Sequence, residues 1–112
     1  MVGAMKFLVM VTPREVPMPP GILADLLSAQ KDWLKQRLAD GTVESLYGFV
    51  GGGGMGIVDV DSHEQIHELL VSSPAFPITD LEITAIGDFE ATIDAGIAAL
   101  RQAASMMPGP PG

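Results

Sequence analysis

Three stretches of this chain carry residue types capable of chemistry. The first, His63-Glu64-Gln65-Ile66-His67, matches H-E-x-x-H, the spacing that sets two imidazoles on one helix face beside a glutamate base. Zinc held there needs a third ligand. These are the only two histidines and there is no cysteine, so a distant carboxylate such as Asp80 or Glu82 would have to complete the site. Both fit better as exposed strand positions, and His63 falls in the first turn of a short helix. The expectation is a solvated helix edge with a capping role and no metal. The second stretch is Glu44, Ser45 and Tyr47, a polar set on an otherwise apolar segment. A carboxylate there is a candidate acid or base, with Tyr47 or Lys31 as proton donor. Strict alternation puts Glu44 and Tyr47 on opposite faces of a strand, so one pocket holds both only if a bulge intervenes. The plainer alternative is an exposed edge-strand glutamate and a packed tyrosine with its hydroxyl at the rim. The third stretch, Gly51 to Gly54, lacks the following helix N-terminus that a phosphate cradle uses. A wide, mobile hairpin loop able to act as a flap is expected instead.

The elements that must position these residues follow from periodicity. Lys6 to Val11 includes a continuous apolar run of strand length, ended at Thr12-Pro13. After the link Val16 to Gly21, the residues Ile22, Leu23, Leu26, Leu27, Trp33, Leu34 and Leu38 recur at helical spacing, and the helix stops near Gly41. Lys31, Asp32, Lys35 and Arg37 form its polar side, where Asp32 and Lys35 are spaced to pair. Thr42 to Val50 and Ile57 to Val60 read as a hairpin around the glycines. Ser62 and Gln65 make a capping box for a helix over about 63–72 whose Ile66, Leu69 and Leu70 share a face. Asp80 to Ile86 alternates as a half-exposed strand, and Asp88 can cap a last helix bearing Phe89, Ile93, Ile97 and Leu100 and ending near Met106. In this order Trp33 and Phe76 are placed to wall a space between helix and sheet. With Ser45, Phe49 and His67 they are the candidate substrate contacts.

The order βαββαβ plus a C-terminal helix is the ferredoxin-like α+β arrangement, an antiparallel sheet with helices on one face. The first strand shows Phe7, Val9 and Val11 on one side and Leu8 and Met10 on the other, so both sheet faces are apolar there. A bare apolar face is rare on a soluble monomer. The sheet of a second copy would cover it, giving a dimeric α+β barrel; the alternative is that the last helix folds back over it. A length of 112 residues with 47% apolar content suits one domain, taken as 5–106. Residues 1–4 read as an extension and 107–112, rich in Pro and Gly, as a flexible tail. Fourteen acidic against six basic residues give a net charge of -8, which disfavours nucleic acid. No apolar stretch reaches the roughly 20 residues of a membrane span, and no leader pattern opens the chain, so a cytoplasmic protein is expected.

Two segments carry a family likeness. Gln36-Arg37-Leu38-Ala39-Asp40-Gly41-Thr42 resembles the helix-to-strand junction of muconolactone isomerases. Val58-Asp59-Val60-Asp61-Ser62, His67-Glu68-Leu69-Leu70, Ser73-Pro74-Ala75-Phe76-Pro77 and Asp80-Leu81-Glu82-Ile83 resemble the second half of the same family in order and spacing. The likeness runs over about 5–87 and is strongest in the Pro-Ala-Phe-Pro turn. It implies an α+β barrel assembled into dimers or larger rings. It also implies cofactor-free movement of a double bond in a small carboxylated lactone, by proton abstraction and return. After Gly-Thr the family pattern is a strand rich in Trp, Arg and His, where this chain has Val43-Glu44-Ser45-Leu46-Tyr47-Gly48. The anion-binding charges are missing from that position, which shifts the expected substrate from muconolactone to a neutral or apolar molecule.

The first functional expectation is therefore a cofactor-independent isomerase-like enzyme of catabolism or secondary metabolism, with Glu44 as base and Tyr47 or Lys31 as donor. The second is a non-catalytic small-molecule-binding or dimerisation module on the same fold. A polar-lined cavity containing Glu44 would favour the enzyme; one filled by Tyr47, Phe49 and Trp33 would favour the module. A cofactor-free oxygenase of the related barrel type would want a histidine-rich pocket, which this sequence lacks.

Overall fold

The computed structural model describes residues 5–107; the readings made for 1–4 and for 108–112 lie outside the described residues. The order is β1 (Met5–Pro13), α1 (Pro20–Ala39), β2 (Val43–Gly48), β3 (Gly54–Val60), α2 (His63–Val71), a 3-10 turn (Phe76–Ile78), β4 (Thr79–Ile86) and α3 (Phe89–Met106). The four strands are antiparallel in the order β2-β3-β1-β4. This is the ferredoxin-like α+β arrangement expected from the sequence.

Local chemistry explains most boundaries. β1 runs past Thr12 to Pro13 because its pairing with β3 stops at Val11, and only β4 continues alongside, with Thr79 opposite Pro13. A proline is tolerated where one ladder has ended. α1 opens on Pro20, two residues before the apolar periodicity begins, since a first-turn N–H has no helical partner to lose. It ends at Asp40, followed by Gly41 at φ 84. α2 starts on the expected cap: the Ser62 hydroxyl accepts from Gln65 N–H at 3.1 Å. Gln65 Oε1 reaches back to Asp61 N–H at 2.6 Å, one residue before the cap. Asp88 caps α3 through Ala91 N–H at 3.0 Å.

The core lies between the sheet and α1 and α2. Phe7, Val9, Val43, Val58, Val60 and Ile66 are buried there, with Val11, Leu46, Leu69, Leu70 and Leu81 packed around them. The other face of the sheet is uncovered. Pairing puts Lys6, Leu8, Met10, Met55, Ile57, Asp59, Glu82 and Thr84 on it. α3 has no extensive packing against another element, and Phe89, Ile93, Ile97 and Leu100 are all exposed. The described chain measures 72 × 35 × 25 Å, so the last helix does not fold back over the open face.

The glycine segment is tighter than a wide loop. β3 already begins at Gly54, and 49–53 form a turn in which Phe49 N–H donates to Gly53 O and Gly52 N–H to Phe49 O, both at 2.9 Å. Gly52 and Gly53 adopt φ 109 and 79, and a Cβ at Gly53 would collide with the Val11 carbonyl.

Candidate functional site

The titratable groups gather on the open face of the sheet because of one irregularity. Val43 pairs with Val58, but Ser45 pairs with Ile57 and Tyr47 with Met55, so the register slips between Val43 and Ser45. The bulge lets Val43 and Leu46 both face the helices while Glu44, Ser45 and Tyr47 come to the open face. Glu44 Oε2 lies 3.0 Å from Lys6 Nζ, across β3. Both side chains are nearly half exposed, so the pair contributes at most about 1 kcal/mol to stability. Asp59, opposite Lys6 on β3, has its Oδ1 shielded from solvent with no hydrogen-bond partner. The set is a carboxylate beside an ammonium, with the Ser45 hydroxyl, the Tyr47 phenol and the Asp59 carboxylate on the same face of the sheet. Such a set can take and return a proton.

The other expected residues lie elsewhere. Lys31 is exposed on α1, with the sheet between it and Glu44, and among the described residues it makes no ion pair. His67 is exposed on α2, Phe49 sits in the hairpin turn, and Phe76 is exposed in the 3-10 turn. His63 packs edge-on against Phe7, ring centroids 5.5 Å apart. Among the described residues no third His, Asp or Glu joins the two histidines at metal-binding spacing, and Asp80 lies 3.6 Å from Arg14. The expected Asp32–Lys35 pair is replaced by Arg37 with Asp40 at 3.3 Å.

Trp33 lies where expected, between helix and sheet. It lines a cavity of ≈ 50 Å³ with Gln30, Leu34, Val43, Leu46 and Gly56 among its walls. Neither Glu44, Tyr47 nor Phe49 lines it, so the sequence-based candidates divide between the two faces of the sheet. Lys6 and Gln30 went unmarked in the sequence, although signals were present. Lys6 is the one charge in the first strand's apolar run, and Gln30 is a polar residue at helical spacing between Leu26 and Trp33.

Near the helix-to-strand junction, Asp40 is held below the usual carboxylate range by the Thr42 hydroxyl and backbone N–H and by the Arg37 charge. The Thr42 N–H donates to Oδ1 at 2.9 Å. A polar hollow of ≈ 90 Å³ lies here between Asp40, Thr42, Asp59 and Asp61.

A family model described as muconolactone delta-isomerase matches residues 5–92. A muconolactone delta-isomerase of Cupriavidus pinatubonensis (strain JMP 134 / LMG 1197) is 30% identical over 77 residues, covering 68% of this chain and 84% of that protein. The crystal structure of a muconolactone isomerase superposes with a TM-score of 0.69 at 28% identity, covering 75% of this chain and 90% of the other.

Proposed function

The chain belongs to the muconolactone delta-isomerase family, and from that membership we propose that it moves a double bond in a small lactone or similar metabolite of catabolism or secondary metabolism, by acid–base chemistry without a cofactor. What carries the reading is the extent of the family match, which runs from β1 through β4 into the first turn of α3. In the proposed step Glu44 removes a proton from the carbon next to the carbonyl of an enol lactone, or from the far carbon of a lactone whose double bond is conjugated with the carbonyl; the electron pair spreads over the dienolate, and the proton returns at the other end. No atom is gained or lost. Lys6 holds the Glu44 carboxylate in position at 3.0 Å, and Tyr47 donates toward the developing oxyanion. The open face offers no shelter from water in one chain, so the proposal includes a homodimer in which the open faces of two copies meet. A carboxylated substrate would meet a protein of net charge -8, which favours an uncharged one.

The test is turnover of α-angelica lactone, a neutral enol lactone, and of muconolactone, by the parent and Glu44→Gln. The reading expects parent turnover and a loss of at least about 10²-fold in kcat for the variant. Equal turnover in the two would remove Glu44 from the mechanism. A second reading, a binding module, is favoured by the separation of the cavity from every titratable candidate. Binding without turnover of either lactone would establish it.

A further inference from the structure

Unlike α1 and α2, α3 lies largely outside the family match, which ends at residue 92 in its first turn while the helix runs on to Met106. None of its residues is buried. Its side chains nevertheless follow a regular seam. Glu90, Ile93, Ile97, Leu100, Ala104 and Met107 recur at spacings of three and four, the a and d positions of a heptad pattern. Ile93 is 55%, Ile97 42% and Leu100 73% exposed, so nothing in the same chain covers that seam. Gly96 beside it costs the helix about 1 kcal/mol relative to alanine. A Cβ there would meet nothing within 4 Å, so its own chain gives no steric reason for the glycine.

The residues flanking the seam select an orientation for a partner helix. In an antiparallel pair each a position layers on a d position of the other helix, and equivalent flanks face one another. With the two-fold axis between Ala98 and Ala99, Ile97 layers on Leu100 and Ile93 on Ala104, while Glu90 meets Met107 at the rim. The same register sets Asp94 against Arg101 on both sides of the axis and Gly96 against Ala103, where two small residues let the backbones approach. A parallel pair would stack Glu90 on Glu90 and leave Asp94 without a cation. Among the described residues neither Asp94 nor Arg101 makes an ion pair. Seven residues separate them, roughly 10 Å along one helix, too far to pair within a chain. Asp94 also follows Glu90 at the i,i+4 spacing where like charges repel. We propose that α3 docks antiparallel on α3 of a second copy of this chain, in a two-fold contact held by the Ile93, Ile97 and Leu100 seam and by reciprocal Asp94–Arg101 pairs. The contact is separate from the sheet faces and stands whether or not Glu44 turns a substrate over.

The seam is short, so the test traps it covalently in the full chain. The protein has no cysteine, and the thiols introduced are therefore the only ones present. Ile93→Cys/Ala104→Cys should form an interchain disulfide under mild oxidation. Ile93→Cys alone should give at least about tenfold less, because antiparallel pairing holds the two copies of position 93 roughly 16 Å apart along the axis. Adding Asp94→Arg, which relieves the repulsion from Glu90 and so favours the helix, should lower the yield at least about threefold. Adding Arg101→Asp as well should restore it. The yield should also survive Ile57→Lys, which disrupts the sheet face alone. The proposal is overturned if the cysteine pair does not cross-link, if Ile93→Cys alone cross-links equally, as parallel helices would, or if Asp94→Arg leaves the yield unchanged. It is equally overturned if Ile57→Lys abolishes the cross-link, which would assign the association to the sheet faces.

Discussion

Asp40 ends one element with its backbone and begins the next with its side chain. Its N–H donates to Gln36 O at 3.0 Å at the close of α1, and its Oδ1 accepts from Thr42 N–H at 2.9 Å at the entry to β2. Gly41 takes the positive φ that the reversal between them needs. Because folding favours the ionised carboxylate, its pKa is lowered below the ordinary 3.8. The stabilisation is therefore present above that value and lost as pH falls through the lower, folded-state pKa. The urea midpoint of the parent should drop more between about pH 5 and pH 2 than that of Asp40→Asn. Equal slopes would show that Thr42 and Arg37 do not hold the charge. Since Asp40 is well exposed, the difference will be small. The junction was legible as a motif because every bond in it is local. The bulge at Glu44 was legible only as a condition, since the partner strand decides where an extra residue is accommodated.

At the scale of elements, the β2–β3 hairpin separates glycines that look alike in sequence. A Cβ at Gly51 meets nothing within 4 Å, whereas at Gly53 it meets the Val11 backbone at a φ of 79. Gly53→Ala should therefore cost about 2–4 kcal/mol in urea unfolding, from the backbone strain and the clash together, while Gly51→Ala stays within about 0.5 kcal/mol. Similar losses at both positions would mean that the turn is not built this way. α2 is held to the sheet by buried Ile66, and Ile66→Ala should cost about 2–5 kcal/mol. α1 is different: its apolar residues run at helical spacing, yet none is buried and Ile22, Leu27 and Leu38 are exposed. Periodicity announced a helix there, but the depth of its burial depended on what the sheet put beneath it.

For the whole molecule, the open sheet face and α3 are the features that one chain does not satisfy. Leu8, Met10, Met55 and Ile57 form an apolar centre on that face, and the apolar side of α3 is equally bare. The proposed pairing of two sheet faces predicts a mass in sedimentation above the 11.7 kDa of one chain, reduced by Ile57→Lys. A parent that sediments as a single chain would end that proposal, and with it the water-excluded setting suggested for Glu44. Among the described residues no helix is long and apolar enough to cross a membrane.

Element order, the two aspartate- and serine-capped helix starts and the sidedness of β1 were determined by the sequence itself, because caps, periodicity and alternation act over a few neighbouring residues. The family likeness in the junction and the Pro-Ala-Phe-Pro turn was equally readable there. Tertiary structure alone decided how the chemistry was distributed. One slip in register moved Glu44 to the face of Tyr47 and Lys6, while the sheet itself stood between them and Lys31. Gln30 gained its orientation from Ala75, whose N–H reaches it only after the chain has run through β2, β3 and α2 and returned. Such contacts depend on which distant backbone arrives, and no local pattern encodes that arrival.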